Sequence, residues 1–268
     1  MNLRQTSPRW RRVLRSLGRR LTWLAENNGD PRLTHNGELW LLRQLLVDHA
    51  KRASGRAFVV FDAGANVGDY TRVVLHEARA AGCAVEVHAF EPSPLNVERL
   101  RRVFAGEPVV RVIGAALADH AGEALLYAGQ SGSSQASLVP RGILAARAGE
   151  EVKVPLLRLG DYVATARVAH IDLLKLDIEG AELAALRGLG EQLRPAFADV
   201  IQFEYGGTTL DAGATLKELH QLLTARGYLF AKLFPGAVEV RDFAEWMENF
   251  AYANYLALAP RADATLAR

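Results

Sequence analysis

The chain of 268 residues has one cysteine, Cys83. That excludes an internal disulfide framework and any zinc site built on cysteines. Its expected place is in packing between a helix and a strand. Net charge is scarce too: 32 basic side chains face 30 acidic ones, so bulk electrostatics name no partner. No apolar run approaches the roughly 20 residues of a membrane span. Internal repeats and low-complexity tracts are missing. Histidines are scattered without metal-ligand spacing. What remains is a half-apolar chain, large enough for one medium domain with an appendage. Cysteine usage fits a reducing cytosol.

The first twenty residues hold seven arginines and no acid. They lack the continuous apolar core of a secretory signal. Trp10, Val13, Leu14, Leu17, Leu21 and Leu24 recur at helical spacing. Two readings of this basic amphipathic helix stand open. It contacts an anionic surface, carrier or glycan, which would place the protein peripherally at a membrane, or it packs on the domain with its arginines solvated. Residues 1–50 read as a helical extension broken near 27–31, and 51–268 as the main domain.

From Phe58 strand-like and helix-like segments alternate. Strands are expected over 58–62, 85–90, 109–117, 171–177, 198–204, 228–234 and 252–259. Helices are expected over 69–80, 94–104, 181–189 and 215–226. Such alternation implies βαβ units and a mostly parallel sheet with helices on both faces. Ligands of such sheets lie beyond the carboxyl ends of the strands. Asp62, Glu91, Asp177 and Glu204 each end a strand, so they would share one rim. Around 122–157 the rhythm breaks. Two extra strands, 122–128 and 152–157, flank a polar loop at 129–137 that reads as a site cover or a plain solvent loop.

The most pointed stretch is Phe61-Asp-Ala-Gly-Ala-Asn-Val-Gly68. Gly64 and Gly68 let the backbone turn tightly beside a ligand, and a helix starting after them offers its amino end to an anionic group. The spacing is Gly-x-Asn-x-Gly, not the Gly-x-Gly-x-x-Gly of dinucleotide folds, which disfavours a nicotinamide-dependent oxidoreductase. Glu91 ends the next strand and is placed to accept from ribose hydroxyls, with Pro92 and Pro94 stiffening the turn after it. For Asp119 two readings are open, an adenine contact or a turn residue. His35 is a candidate site contact, and His88 a core residue. Phe203, Tyr205, Trp246, Phe250, Tyr252 and Tyr255 either wall an acceptor pocket or pack in the core.

These pieces, with Asn36-Gly-Glu38, Phe90-Glu-Pro-Ser-Pro94, Ala115-Ala-Leu-Ala-Asp119 and Leu174-Lys-Leu-Asp-Ile-Glu-Gly-Ala-Glu182, resemble the FkbM-type methyltransferases of the S-adenosylmethionine-dependent class I fold. The resemblance spans about residues 36 to 205. It implies a Rossmann-like seven-stranded sheet whose last strand is antiparallel. It also implies S-adenosylmethionine held by Asp62, Gly64, Ala65, Asn66, Gly68, Glu91 and Pro92, with Glu38 and Asp119 as further candidates. The implied reaction is methyl transfer to oxygen, often a hydroxyl of a sugar, glycan or secondary metabolite.

An alcohol is a weak nucleophile at neutral pH, so a base or a metal should assist. Asp177 or Glu179 is the candidate base, with Lys175 or Glu204 orienting the acceptor. Glu182 reads as an acid favouring a helix amino end. Asp177 and Glu204, with Glu179, are also candidate oxygen ligands for a divalent metal. A third reading is a nucleic-acid or membrane-surface module on the arginine-rich start. No RNA-binding aromatic motif accompanies those arginines, so no nucleic acid is expected.

Overall fold

Two sheets organise the chain in the computed structural model, which describes residues 9–52, 55–127, 138 and 151–262. The larger sheet has eight strands. In chain order they are β1 (Phe58–Ala63), β2 (Val85–Phe90), β3 (Val110–Ile113), β7 (Ile171–Leu176), β8 (Ala198–Tyr205), β9 (Leu229–Phe234), β10 (Ala237–Val240) and β11 (Ala253–Leu258). Their spatial order is β10-β9-β11-β8-β7-β1-β2-β3. Strands β3, β2, β1, β7 and β8 are parallel. The last strand, β11, runs antiparallel between β8 and β9, as expected.

Strand number and one boundary differ from expectation. The eighth strand, β10, pairs antiparallel with β9 at the sheet edge. Its four residues are mostly exposed, so they carry no apolar signal. The run expected as one strand over 109–117 divides after Ile113. Ala116–Ala118 (β4) departs into a second sheet, order β4-β6-β5, with β5 (Gly122–Tyr127) and β6 (Glu151–Arg158). That sheet accounts for the break in rhythm around 122–157. The polar loop 129–137 lies outside the described residues.

Side-chain alternation shows why the large sheet needs two helical layers. Val60, Leu173 and Val200 face one core cluster, and their neighbours Phe61, Leu174 and Ile201 face the other. The first face is covered by α2 (Glu38–Lys51), α3 (Asp69–Ala81) and α4 (Pro94–Val103), through Leu42, Leu46, Val74 and Leu100. The second is covered by α5 (Leu159–Thr165), α6 (Glu182–Gly188) and α8 (Leu216–Ala225), through Leu159, Leu186, Leu219 and Leu223. A short α7 (Gly207–Asp211) precedes α8. Cys83 is buried in the first cluster, after α3 and before β2.

Local chemistry sets the helix ends. Pro94 opens α4, where its missing N–H costs nothing. Thr215 and Glu218 form a reciprocal capping box at α8. The leading helix α1 (Arg9–Ala25) is different, because none of its residues is buried.

Candidate functional site

Connections from β1 run to β2 and β3 on one side and, later in the chain, to β7 and β8 on the other. Such a switch point leaves a crevice beyond the carboxyl ends of the strands. Here the crevice has two lobes that share Gly64, Asn66, Asp177 and Glu179.

The first lobe, about 580 Å³ counting the space open to solvent, has Phe90, Ala116, Leu117 and Leu126 as apolar wall and Glu91 and Asn96, beside Pro92, at its rim. Leu126 and Leu138 bring the second sheet into this wall. Glu91 is buried and held from two sides. One carboxylate oxygen accepts the Asn66 N–H at 2.9 Å, and the other accepts the Ser93 N–H at 2.9 Å. Burial pushes its carboxyl above the usual range, against these hydrogen bonds. Asn96 donates to the Asn66 side chain at 3.0 Å, while its own carbonyl oxygen is buried without a partner.

The turn after β1 is shaped for close approach. Gly64 has φ 87°, and a Cβ there would lie 1.8 Å from the Asp177 carbonyl oxygen. Only glycine lets the β1 turn and the β7 end meet at this distance. Gly68, φ 89°, lies behind the lining, where a Cβ would strike Phe104 and Leu100. Asn66 also adopts positive φ, 49°, which asparagine tolerates. Asp62 is fully buried and accepts the Thr71 hydroxyl at 2.6 Å. Its other oxygen has no partner, and burial raises its carboxyl pKa.

The second lobe is larger, about 1280 Å³, and more polar. Its lining includes Pro31, Leu33, Glu38, Ala65, Tyr70, Lys175, Glu204 and Tyr252. Lys175 is buried and donates to Asp177 at 2.8 Å, with its ammonium 4.9 Å from the Tyr70 ring centre. Burial alone would lower the Lys175 pKa, but Asp177, Glu38 and Asp62 outweigh it and hold the ammonium charged. Asp177 likewise resists the effect of burial. Lys175 keeps its carboxylate below the usual range. Glu204 goes the other way. Burial and the charges of Asp177 and Glu179 push it up to about 10, and it is hydrogen-bonded to Asp177. At neutral pH the rim therefore carries a cation, an anion and a neutral acid in series.

The loop that presents these groups is strained and braced. Glu179 takes φ 57°, and Gly180 takes φ 106° with its Cα close under the Thr208 carbonyl. Glu182, buried, accepts the N–H groups of Ile178 and Gly180 at 3.1 and 3.3 Å. Burial raises its carboxyl to about 7. It thus supports the loop, more than the helix dipole reading alone requires.

Of the expected site residues, the structure brings Gly64, Asn66, Glu91, Pro92, Asp177 and Glu179 to the first lobe. Lys175, Glu204, Ala65 and Glu38 line the second. Glu38 thus lines a different lobe from Glu91, tied to Gln202 at 2.8 Å and Asn254 at 3.2 Å. Asp119 is not in either lobe. Its half-exposed carboxylate pairs with His120 at 2.7 Å, because β4 carries it into the second sheet. His35 is also outside, exposed and 3.6 Å from Asp30. His88 is buried and bonded to the Tyr162 hydroxyl at 2.6 Å. Of the late aromatics, Tyr252 lines the crevice, while Phe203, Tyr205 and Tyr255 are core and Trp246 is exposed.

Sequence reasoning missed Asn96, Tyr70 and Gln202. Asn96 had a readable signal, a carboxamide on the buried face of α4 beside Val97 and Leu100. Tyr70 and Gln202 had none, since each looks like an ordinary amphipathic position.

The methyltransferase FkbM domain family matches residues 62–230. The chain belongs to that family. It is therefore a methyltransferase by family, of an S-adenosylmethionine-dependent class. It is 29% identical over 196 residues to the 31-O-demethyl-FK506 methyltransferase FkbM of Streptomyces tacrolimicus, covering 63% of this chain and 72% of that one. Among solved structures it is similar to the methyltransferase FkbM of Methylobacillus flagellatus KT, 15% identical with TM-score 0.45, over 79% of this chain. It spans about half, 47%, of that longer chain. The plantazolicin methyltransferase BpumL in complex with SAH is also similar, 11% identical with TM-score 0.43, covering 94% of this chain and 91% of that one.

Proposed function

We propose that this protein transfers a methyl group from S-adenosylmethionine to a hydroxyl oxygen of a sugar, glycan or secondary metabolite. The observation that carries this reading is the meeting of the two lobes at Asp177 and Glu179, where a cofactor lobe and a charged acceptor lobe share one wall. The residues present suit the cofactor. The turn at Gly64 and Asn66 brings backbone to the lobe, the apolar wall suits an adenine, and the Glu91 carboxylate lines the lobe as an acceptor for ribose hydroxyls. The unpartnered carbonyl oxygen of Asn96, in the wall of the first lobe, adds an acceptor beside the turn. Bound there, S-adenosylmethionine supplies an electrophilic methyl group.

The chain's own residues then do three things. The crevice walls hold the acceptor oxygen in line. Lys175 and Glu204 both bond Asp177, which fixes that carboxylate at the junction of the lobes. Asp177 accepts the acceptor's hydroxyl hydrogen. A carboxylate of depressed pKa is a feeble base toward an alcohol. As the new C–O bond forms and the methyl–sulfur bond breaks, however, the hydroxyl proton becomes far more acidic than any carboxylic acid, and Asp177 takes it in the transition state without being a strong base. The relative named for 31-O-demethyl-FK506 supports oxygen as the acceptor atom.

The same groups argue against a divalent ion at Asp177 and Glu204. The Lys175 ammonium, 2.8 Å from Asp177, already neutralises that carboxylate and competes with a divalent ion for it. Exhaustive chelation is expected to leave turnover unchanged, and loss of turnover restored by magnesium would reverse that view. The proposal itself is tested by S-adenosylhomocysteine titration, together with transfer of labelled methyl to a panel of sugars and natural-product alcohols. Binding of NAD without S-adenosylhomocysteine would defeat it.

A further inference from the structure

The crevice accounts for the motifs of the central domain but leaves α1 without a role. None of its 17 residues is buried. Trp10, Val13, Leu14, Leu17, Leu21 and Leu24 are each at least half exposed, up to 81% at Leu24. At about 100° per residue these six positions fall within a single arc of roughly 100°. Six arginines, Arg9, Arg11, Arg12, Arg15, Arg19 and Arg20, lie outside that arc with Ser16, Gly18, Thr22, Trp23 and Ala25, and the helix has no acid. No helix among the described residues is long and apolar enough to cross a membrane.

We infer that α1 lies in the surface of an anionic lipid bilayer, its apolar arc immersed and its arginines on the lipid headgroups. The pattern fits this occupant better than others. A helix binding nucleic acid needs the arginines but has no use for six clustered apolar side chains facing water. A helix docking on a second copy of this near-neutral chain has use for the apolar arc but meets no matching excess of acid. An anionic bilayer uses both faces, with apolar burial and arginine attraction adding. Trp10 sits in the arc, where an amphipathic ring suits the headgroup boundary.

The far end of α1 is fixed to the catalytic domain. Glu26 accepts from Lys232 at 2.9 Å and Arg241 at 2.8 Å, and Asn28 accepts from Lys232 at 2.7 Å. The Gly29 N–H then donates to the Tyr252 carbonyl at 2.9 Å. Tyr252, Pro31 and Leu33 all line the second lobe. Docking through α1 thus sets the acceptor lobe beside the bilayer. This consequence for the acceptor, a membrane-presented alcohol, rests on the methyltransferase reading above, whereas the docking itself does not.

The test is co-sedimentation of the full chain with vesicles of phosphatidylcholine alone and of phosphatidylcholine with phosphatidylglycerol in equal parts. Binding to the anionic vesicles only, weakened by salt, is expected. Leu17→Asp with Leu21→Asp is expected to abolish it. Arg15→Gln with Arg19→Gln should lower partitioning by about tenfold or more. Brominated lipids should quench tryptophan emission in the native chain and far less in Trp10→Phe. Unchanged melting and S-adenosylhomocysteine binding in these variants separates a docking failure from a failure of the enzyme reading. No binding to anionic vesicles overturns the inference. So does equal binding to neutral ones, or RNA binding that survives Leu17→Asp with Leu21→Asp. A dimer dissolved by that same pair, without vesicle binding, overturns it as well.

Discussion

At the scale of single residues, Asp177 and Glu204 illustrate how neighbours set chemistry. Both are acids at adjacent strand ends, yet one is held charged and the other neutral. Lys175 makes the difference, since it bonds Asp177 and leaves Glu204 to burial and like charge. Asp177→Asn keeps the shape and removes the proton acceptor. It should lower kcat by about 10²- to 10⁴-fold while S-adenosylhomocysteine affinity, read by calorimetry, stays close to the native value. Glu204 predicts a pH effect on stability. Its folded pKa, about 10, exceeds its ordinary 4.5, so the folded chain keeps a proton that the unfolded chain releases. The stability it allows is complete below about 4.5 and is lost as pH rises toward 10. Relative to Glu204→Gln, which cannot titrate, the native protein should therefore melt at progressively lower temperature across that window. Parallel melting curves for the two proteins would contradict it.

At the scale of elements, the hydrogen-bond hub at the start of α2 shows how a helix is locked to a sheet. Buried Glu38 takes hydrogen bonds from Asn36, from Gln202 on β8 and from Asn254 on β11. Removing it leaves three buried amides without their acceptor, at roughly 1–3 kcal/mol for each that water cannot reach. Glu38→Ala should cost about 3 kcal/mol in urea unfolding, and a loss below about 1 kcal/mol would mean that water replaces the carboxylate. Asn36-Gly-Glu38 was readable in the sequence as a family motif, but its partners were not, since they lie 164 and 216 positions away. The parallel strands were legible because burial on both faces favours near-continuous apolar runs, interrupted in Ile171-Asp-Leu-Leu-Lys-Leu176 only by the buried, paired Asp172 and Lys175. β10 was not, because an exposed edge strand needs no such run. The division of 109–117 was hidden for another reason. Both halves of the run are apolar in sequence, and only the pairing of Ala116 with Leu156 sends the chain to a new sheet.

At the scale of the whole molecule, three of the four acids expected on one rim line the crevice and divide between its lobes, while Asp62 is fully buried and lines neither. Glu91 faces the first lobe and Glu204 the second, with Asp177 common to both. Sequence order could place these acids on one edge, because parallel strands end on one edge. It could not divide them, because the division depends on the second sheet, which walls the first lobe through Leu126 and Leu138. The division makes a test of ligand class possible without knowing the acceptor. A ligand that binds only the folded state at about 100 times its Kd adds about 2.7 kcal/mol of stability. In a chain of this size each kcal/mol raises Tm by about 2–4 °C. Saturating S-adenosylhomocysteine should therefore raise Tm by about 5–10 °C, and NAD at the same concentration should leave it unchanged. Glu91→Ala should shrink the shift, since it removes the carboxylate that organises the Asn66 turn and lines the first lobe, where the proposed cofactor would bind. The same variant should leave the unliganded Tm lowered only by the two lost backbone bonds, at about 1 kcal/mol each. A full shift in Glu91→Ala would move the cofactor out of the first lobe, and would remove Glu91 from the binding residues.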